Sequence, residues 1–195
     1  MNKKSILFYY ELFFAGGTEH SILKFSKKLC EKYKVIVAYE NSDTQGIVLN
    51  EIKKYAQIIN LNSINSINVD ICICCSQQKQ VKFSEFSKKV IAKKYFGWKH
   101  ILTFETFPQR EYYEDYRENI SKFICVSEAV KADLVKKYPQ LENKCVVIHN
   151  YINVDEVIAK SKENCDLTVG KNILNLISVS RLALDKRISQ NQNVM

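Results

Sequence analysis

Hydrophobic positions change period several times along the chain, and each change predicts an element. Ser5-Ile6-Leu7-Phe8-Tyr9-Tyr10 is a short continuous apolar run, the pattern of a strand buried on both faces. Ile22, Phe25, Leu29 and Tyr33 then recur at helical spacing. Lys34 to Tyr39 reads as a second strand closed by a polar loop at 40–43. A helical piece near 47–55, a short strand at 57–61 and an apolar strand at Val69 to Cys75 come after it.

From Lys79 to Lys99 seven lysines face one acid, Glu85, and are interleaved with aromatic and branched residues. Wound as a helix, this stretch places Lys82, Lys89 and Lys93 beside a stripe of Phe83, Phe86 and Val90, so the pattern predicts a basic amphipathic helix. A strand over 99–104 and an acidic helical surface over 105–119 come next. Ser121 to Val126 is another strand, Ser127 is placed to cap a helix, and Val130, Leu134 and Tyr138 form its buried stripe up to Pro139. Strands at 145–150 and 171–179 complete the pattern. Strands alternating with helices predict an α/β fold: a Rossmann-like parallel sheet with flanking helices.

Composition sets the bounds. The 195 residues, 46% apolar and 26% charged, suit one domain with the start of a second, and no apolar run is long enough to span a membrane. Glu11 interrupts the apolar N-terminal region, which argues against a signal peptide and for a cytoplasmic address. Seven cysteines at irregular spacing predict neither a disulfide framework nor a zinc ribbon, and no metal is expected. The net charge of +8 lies wholly in residues 1–100, with 16 Lys against 8 acids; residues 101–195 balance at 13 and 13. The plain reading of the lysines at 79–99 is a solvated helix on the sheet; the sharper one is peripheral contact with an anionic membrane. Nucleic acid is not expected, because arginine forks and recognition motifs are missing.

The candidate chemistry begins at Gly16-Gly17, the one glycine pair in the chain. Placed between a strand and a helix, it is expected to take positive φ and admit a phosphate or a sugar hydroxyl to the helix N-terminus. The loop Phe14-Ala15-Gly16-Gly17-Thr18-Glu19-His20 resembles the GGxE loop after the first strand of retaining GT-B glycosyltransferases, the group 1 or glycogen-synthase-like family. ICVSEAVKADLVKKYP followed by CVVIHNYINVDEV is similar to the family's passage into its interdomain hinge, with Tyr151 where glycine is usual. Ser180-Arg181-Leu182-Ala183-Leu184-Asp185-Lys186 is similar to the (G/S)RLxxxK motif that opens the donor domain.

The resemblance implies three parts: an acceptor-side domain over 1–150, a hinge over 151–171, and an incomplete donor domain over 172–195. It implies sugar transfer from a nucleotide-sugar to a glycan, lipid or polyol acceptor, with no cofactor and no metal. Gly16 and Gly17 would contact donor phosphate or acceptor, and Arg181 and Lys186 would hold the diphosphate. His100, in a Trp-x-His context, would face the transferred sugar; taken alone, a histidine at a strand end is more often structural. A non-catalytic acceptor- or membrane-binding module is the alternative, because the pattern stops at a polar tail, 189–195, short of a full donor domain.

Overall fold

A computed structural model of the protein describes residues 3–13, 16–42, 47–75, 83–102 and 118–164. The chain divides into two compact units, 1–152 and 153–195.

In the first unit, seven strands form one sheet in the order β5-β3-β1-β6-β7-β8-β9, and every neighbouring pair is parallel. They are β1 (Ser5–Tyr9), β3 (Lys34–Tyr39), β5 (Gln57–Asn60), β6 (Ile67–Cys74), β7 (Val90–Lys99), β8 (Ile120–Cys125) and β9 (Cys145–Val147). Two-residue strands β2 (Leu12–Phe13) and β4 (Asn41–Ser42), which come shortly after β1 and β3 in the chain, pair separately. Helices α1 (Gly17–Leu29), α2 (Ile47–Ile52), α3 (Phe83–Lys89) and α4 (Glu128–Lys137) cover the sheet.

The apolar run at Ser5–Tyr9 becomes an interior strand, third of the seven, because both of its faces can be buried. Ile6 and Phe8 join Val35, Val37, Ile22, Val48 and Trp98 on one side; Leu7 and Tyr9 join Ile36, Ala38, Cys72, Phe86 and Val90 on the other. A third cluster, with Phe123, Cys125, Val130 and Leu134, seats α4. Ser127 caps that helix as its position predicts, its hydroxyl accepting from Val130 N at 3.2 Å.

The helix predicted over 79–99 is corrected. Among the described residues of that segment Phe83–Lys89 is helical, and Val90–Lys99 is a ten-residue strand paired with β6 from Ile67↔Val90 onward. Phe83, Phe86 and Val90 are buried together as the stripe implies, but the stripe turns from helix to strand at Val90. β-Branched and aromatic residues are frequent from Val90 to Trp98, and pairing with β6 decides the conformation of that segment. The lysines therefore do not line one helical face. Lys89 donates to Leu61 O at 3.1 Å, Lys93 pairs with Asp70 at 2.6 Å, and Lys99 is buried. The strand expected over 99–104 ends instead at Lys99.

The described part of the second unit holds one helix, α5 (Val154–Lys160), capped by Asn153, whose side chain accepts from Glu156 N at 3.3 Å. The segment 105–119 lies almost wholly outside the described residues, and the strand expected over 171–179 entirely so. No helix among the described residues is long and apolar enough to cross a membrane.

Candidate functional site

Strand order locates a crevice. The chain leaves β1 toward β3 and leaves β6 toward β7, so the connections after these adjacent strands run in opposite directions. In an open parallel sheet such a switch point, at the C-terminal ends of the strands, opens a ligand-sized gap. The glycine pair stands at this edge, because α1 is the helix that comes after β1.

Gly16 is the N-cap of α1 and Gly17 its first residue. The expected positive φ is not found: Gly16 has φ −116° and ψ −179°, extended backbone open to any residue. Its requirement is space. A Cβ at Gly16 would lie 2.7 Å from the Glu19 carboxylate oxygen Oε2, whereas one at Gly17 would meet nothing within 4 Å. Glu19 is buried, so its carboxylate occupies the start of α1, where first-turn amides and the helix dipole favour negative charge. The Glu19 side chain thus fills the Gly16 side of the loop. On the open Gly17 side, a ligand can approach the backbone.

His100 comes directly after the last residue of β7. Its ring lies on Trp98, centroids 4.3 Å apart at 49°, and Trp98 in turn meets Phe8 of β1 at 5.9 Å and Phe25 of α1 edge-on at 5.1 Å. This aromatic chain places His100 on the α1 side of the sheet. Burial depresses its pKa to about 4, so the imidazole is neutral at physiological pH. Its Nε2 is buried without a hydrogen-bond partner, as is Trp98 Nε1. A neutral ring with an uncommitted nitrogen can donate or accept a hydrogen bond, but this nitrogen is closed to solvent, so a ligand hydroxyl reaches it only if the ring or its cover moves.

Sequence reasoning missed Lys99. The side chain is only 2% exposed, and alternation along β7 puts it on the face opposite Trp98 and His100, beside Cys125 of β8. Burial lowers its pKa to about 8, with Asp133 of α4 pulling it back up. Lysine reads as surface in a sequence, and only the packing of α4 reveals its burial.

Three buried cysteines, Cys72, Cys75 and Cys125, are poor nucleophiles. Cys72 and Cys75 stand in Cys-x-x-Cys spacing but fall in core clusters on opposite sheet faces, and burial raises both thiols well above the usual range. Cys125 is pushed up to about 12, also by burial. Among the described residues no three His, Cys, Asp or Glu side chains are arranged to hold a metal. Arg181 and Lys186 lie outside the described residues.

No family model matches the sequence, and no curated protein matches it. Solved structures do. Anabaena HepE, crystallised in complex with UDP and glucose, is similar with a TM-score of 0.59 and 13% identity, over 78% of this chain and 46% of that one. A glycosyltransferase from Rickettsia africae is similar with a TM-score of 0.52 and 20% identity, over 80% and 45%. The chain spans less than half the length of either structure. At these identities the likeness is one of fold: the chain has a Rossmann-like α/β fold that occurs in a glycosyltransferase.

Proposed function

We propose that this chain is the acceptor-side portion of a retaining GT-B glycosyltransferase of the group 1 type, which transfers a sugar from a nucleotide-sugar to a hydroxyl of a glycan, lipid or polyol in the cytoplasm. The observation that carries the reading is the pairing of an open glycine-bearing helix start with a neutral, uncommitted histidine at the C-terminal edge of a parallel sheet. Each group has a role in such a transfer. Gly17 lets the acceptor or sugar come close to the backbone, and the Glu19 carboxylate beside Gly16 orients a hydroxyl by accepting from it. His100 hydrogen-bonds the reacting sugar without adding charge. Arg181 and Lys186 would stabilise the negative charge that develops on the departing diphosphate.

The division at Ile152 and Asn153 supports a boundary where the proposed hinge, 151–171, begins; the donor domain is proposed from 172. Binding of both reactants in a cleft between two domains supplies much of such a barrier reduction, so we expect the chain alone to be inactive. The test supplies the purified chain with a panel of nucleotide-sugars and acceptors and monitors nucleoside diphosphate release. No release alone, with turnover when a matching C-terminal half is added, is the expected result. Sustained acceptor-dependent release by the chain alone would refute the fragment reading.

Contact with an anionic membrane through 79–99 is a subordinate proposal, weakened by the loss of the amphipathic helix. Salt-sensitive co-sedimentation with anionic but not neutral vesicles would restore it.

A further inference from the structure

β7 is longer on one side than its neighbours can cover. β6 pairs with it from Val90 to Gly97, but β8 begins only opposite Tyr95, with a register shift between Tyr95 and Phe96. Among the described residues, the edge of β7 turned away from β6 therefore has no strand partner over 90–94. Alternate residues of a strand direct their N–H and C=O to the same edge. Here the Tyr95 hydroxyl takes both groups, accepting from Ala92 N at 3.0 Å and donating to Val90 O at 2.6 Å. One side-chain oxygen thus makes the two bonds that a partner strand would make.

The ring is held independently of these bonds. It packs edge-on against Phe83 at 4.9 Å and against Phe86 at 6.4 Å. Beside it Ile91 is exposed and the charge of Lys93 is offset by Asp70, while Lys94, also exposed, leaves one cation on the segment that itself opposes pairing. Free strand edges invite pairing with another chain, and natural proteins block them.

We propose that the Tyr95 hydroxyl is a guard that keeps the 90–94 edge from pairing with a second copy of this chain. The occupant it excludes is the same edge, because a strand edge brought onto its own copy by a twofold axis lies antiparallel and complements itself.

Tyr95→Phe removes the hydroxyl and keeps the ring. Sedimentation velocity across a wide concentration range should show self-association at least about tenfold stronger than wild type, since two pairing groups per copy are freed. Hydrogen exchange should show the Ala92 amide protected at all concentrations in wild type but only at high concentration in Y95F. Adding Ala92→Pro to Y95F removes the freed donor on the unpaired edge and should return association to the wild-type level. Unchanged association of a folded Y95F, or association that A92P does not reduce, overturns the proposal. Tyr95→Leu is the second variant should Y95F not fold, read the same way; failure of both to fold would make Tyr95 a core residue first and refute the guard.

Discussion

His100 is legible in the sequence as a candidate, but its chemical state is not, because the state comes from burial against Trp98 and from an unpaired Nε2. Its pKa is depressed from 6.5 to about 4, so the unfolded chain takes up the proton first as pH falls. The stability tied to the neutral ring is present above about pH 6.5 and is lost on descending toward pH 4, a difference on the order of 3 kcal/mol. Denaturant titrations at several pH values should show this slope in wild type and a flatter one in His100→Asn; parallel slopes would mean that His100 is not the titrating group. The glycine pair was legible as a pair, but the sequence could not distinguish a left-handed turn from a need for space, and the extended φ of Gly16 decides for space. Gly17→Ala meets no neighbour within 4 Å and replaces glycine in a helix. Thermal unfolding should show unchanged or higher stability, by up to about 1 kcal/mol, while sugar binding, read by NMR shift perturbation, weakens. Unaltered binding would leave the pair as a turn only.

Among the elements, β1, β3, β6 and the Ser127-capped α4 arise directly from local pattern, since each is an uninterrupted run or stripe bounded by polar residues. β7 does not. Phe83, Phe86 and Val90 fit helical spacing, yet that spacing bridges a helix end and a strand start, and only the ladder to β6 separates them. That ladder has a polar anchor remote from the site. Asp70 of β6 accepts from Ser5 N at 2.8 Å, Ser5 Oγ at 3.0 Å and Lys93 Nζ at 2.6 Å, tying β1, β6 and β7 together. The Lys93 and Ser5 bonds hold its carboxyl at about 2, below the ordinary 3.8. Its contribution is present above pH 3.8 and lost as pH falls toward 2. Asp70→Asn should lower the denaturant midpoint at pH 7 and narrow its gap to wild type in strong acid; equal midpoints at pH 7 would show that the anchor contributes nothing.

At the scale of the molecule, the whole seven-stranded sheet lies in the unit that ends at Ile152. A chain ending there should keep its near-UV circular dichroism and unfold in one transition close to that of the full chain; loss of cooperativity would show that later residues complete the core. The α/β class was legible because strand and helix patterns alternate throughout, whereas the order of strands was not, since pairing partners leave no local mark. That order has a consequence for how the protein is made. β1 is synthesised before the other strands of its sheet, and Ser5 must wait for Asp70, 65 residues later, before its β6 neighbour exists. At about 5–20 residues per second the nascent chain carries one bare flank of Leu7, Phe8 and Tyr9 for several seconds. That bare flank is expected to make the folded yield sensitive to chaperone level during synthesis, which expression with and without added chaperone would check.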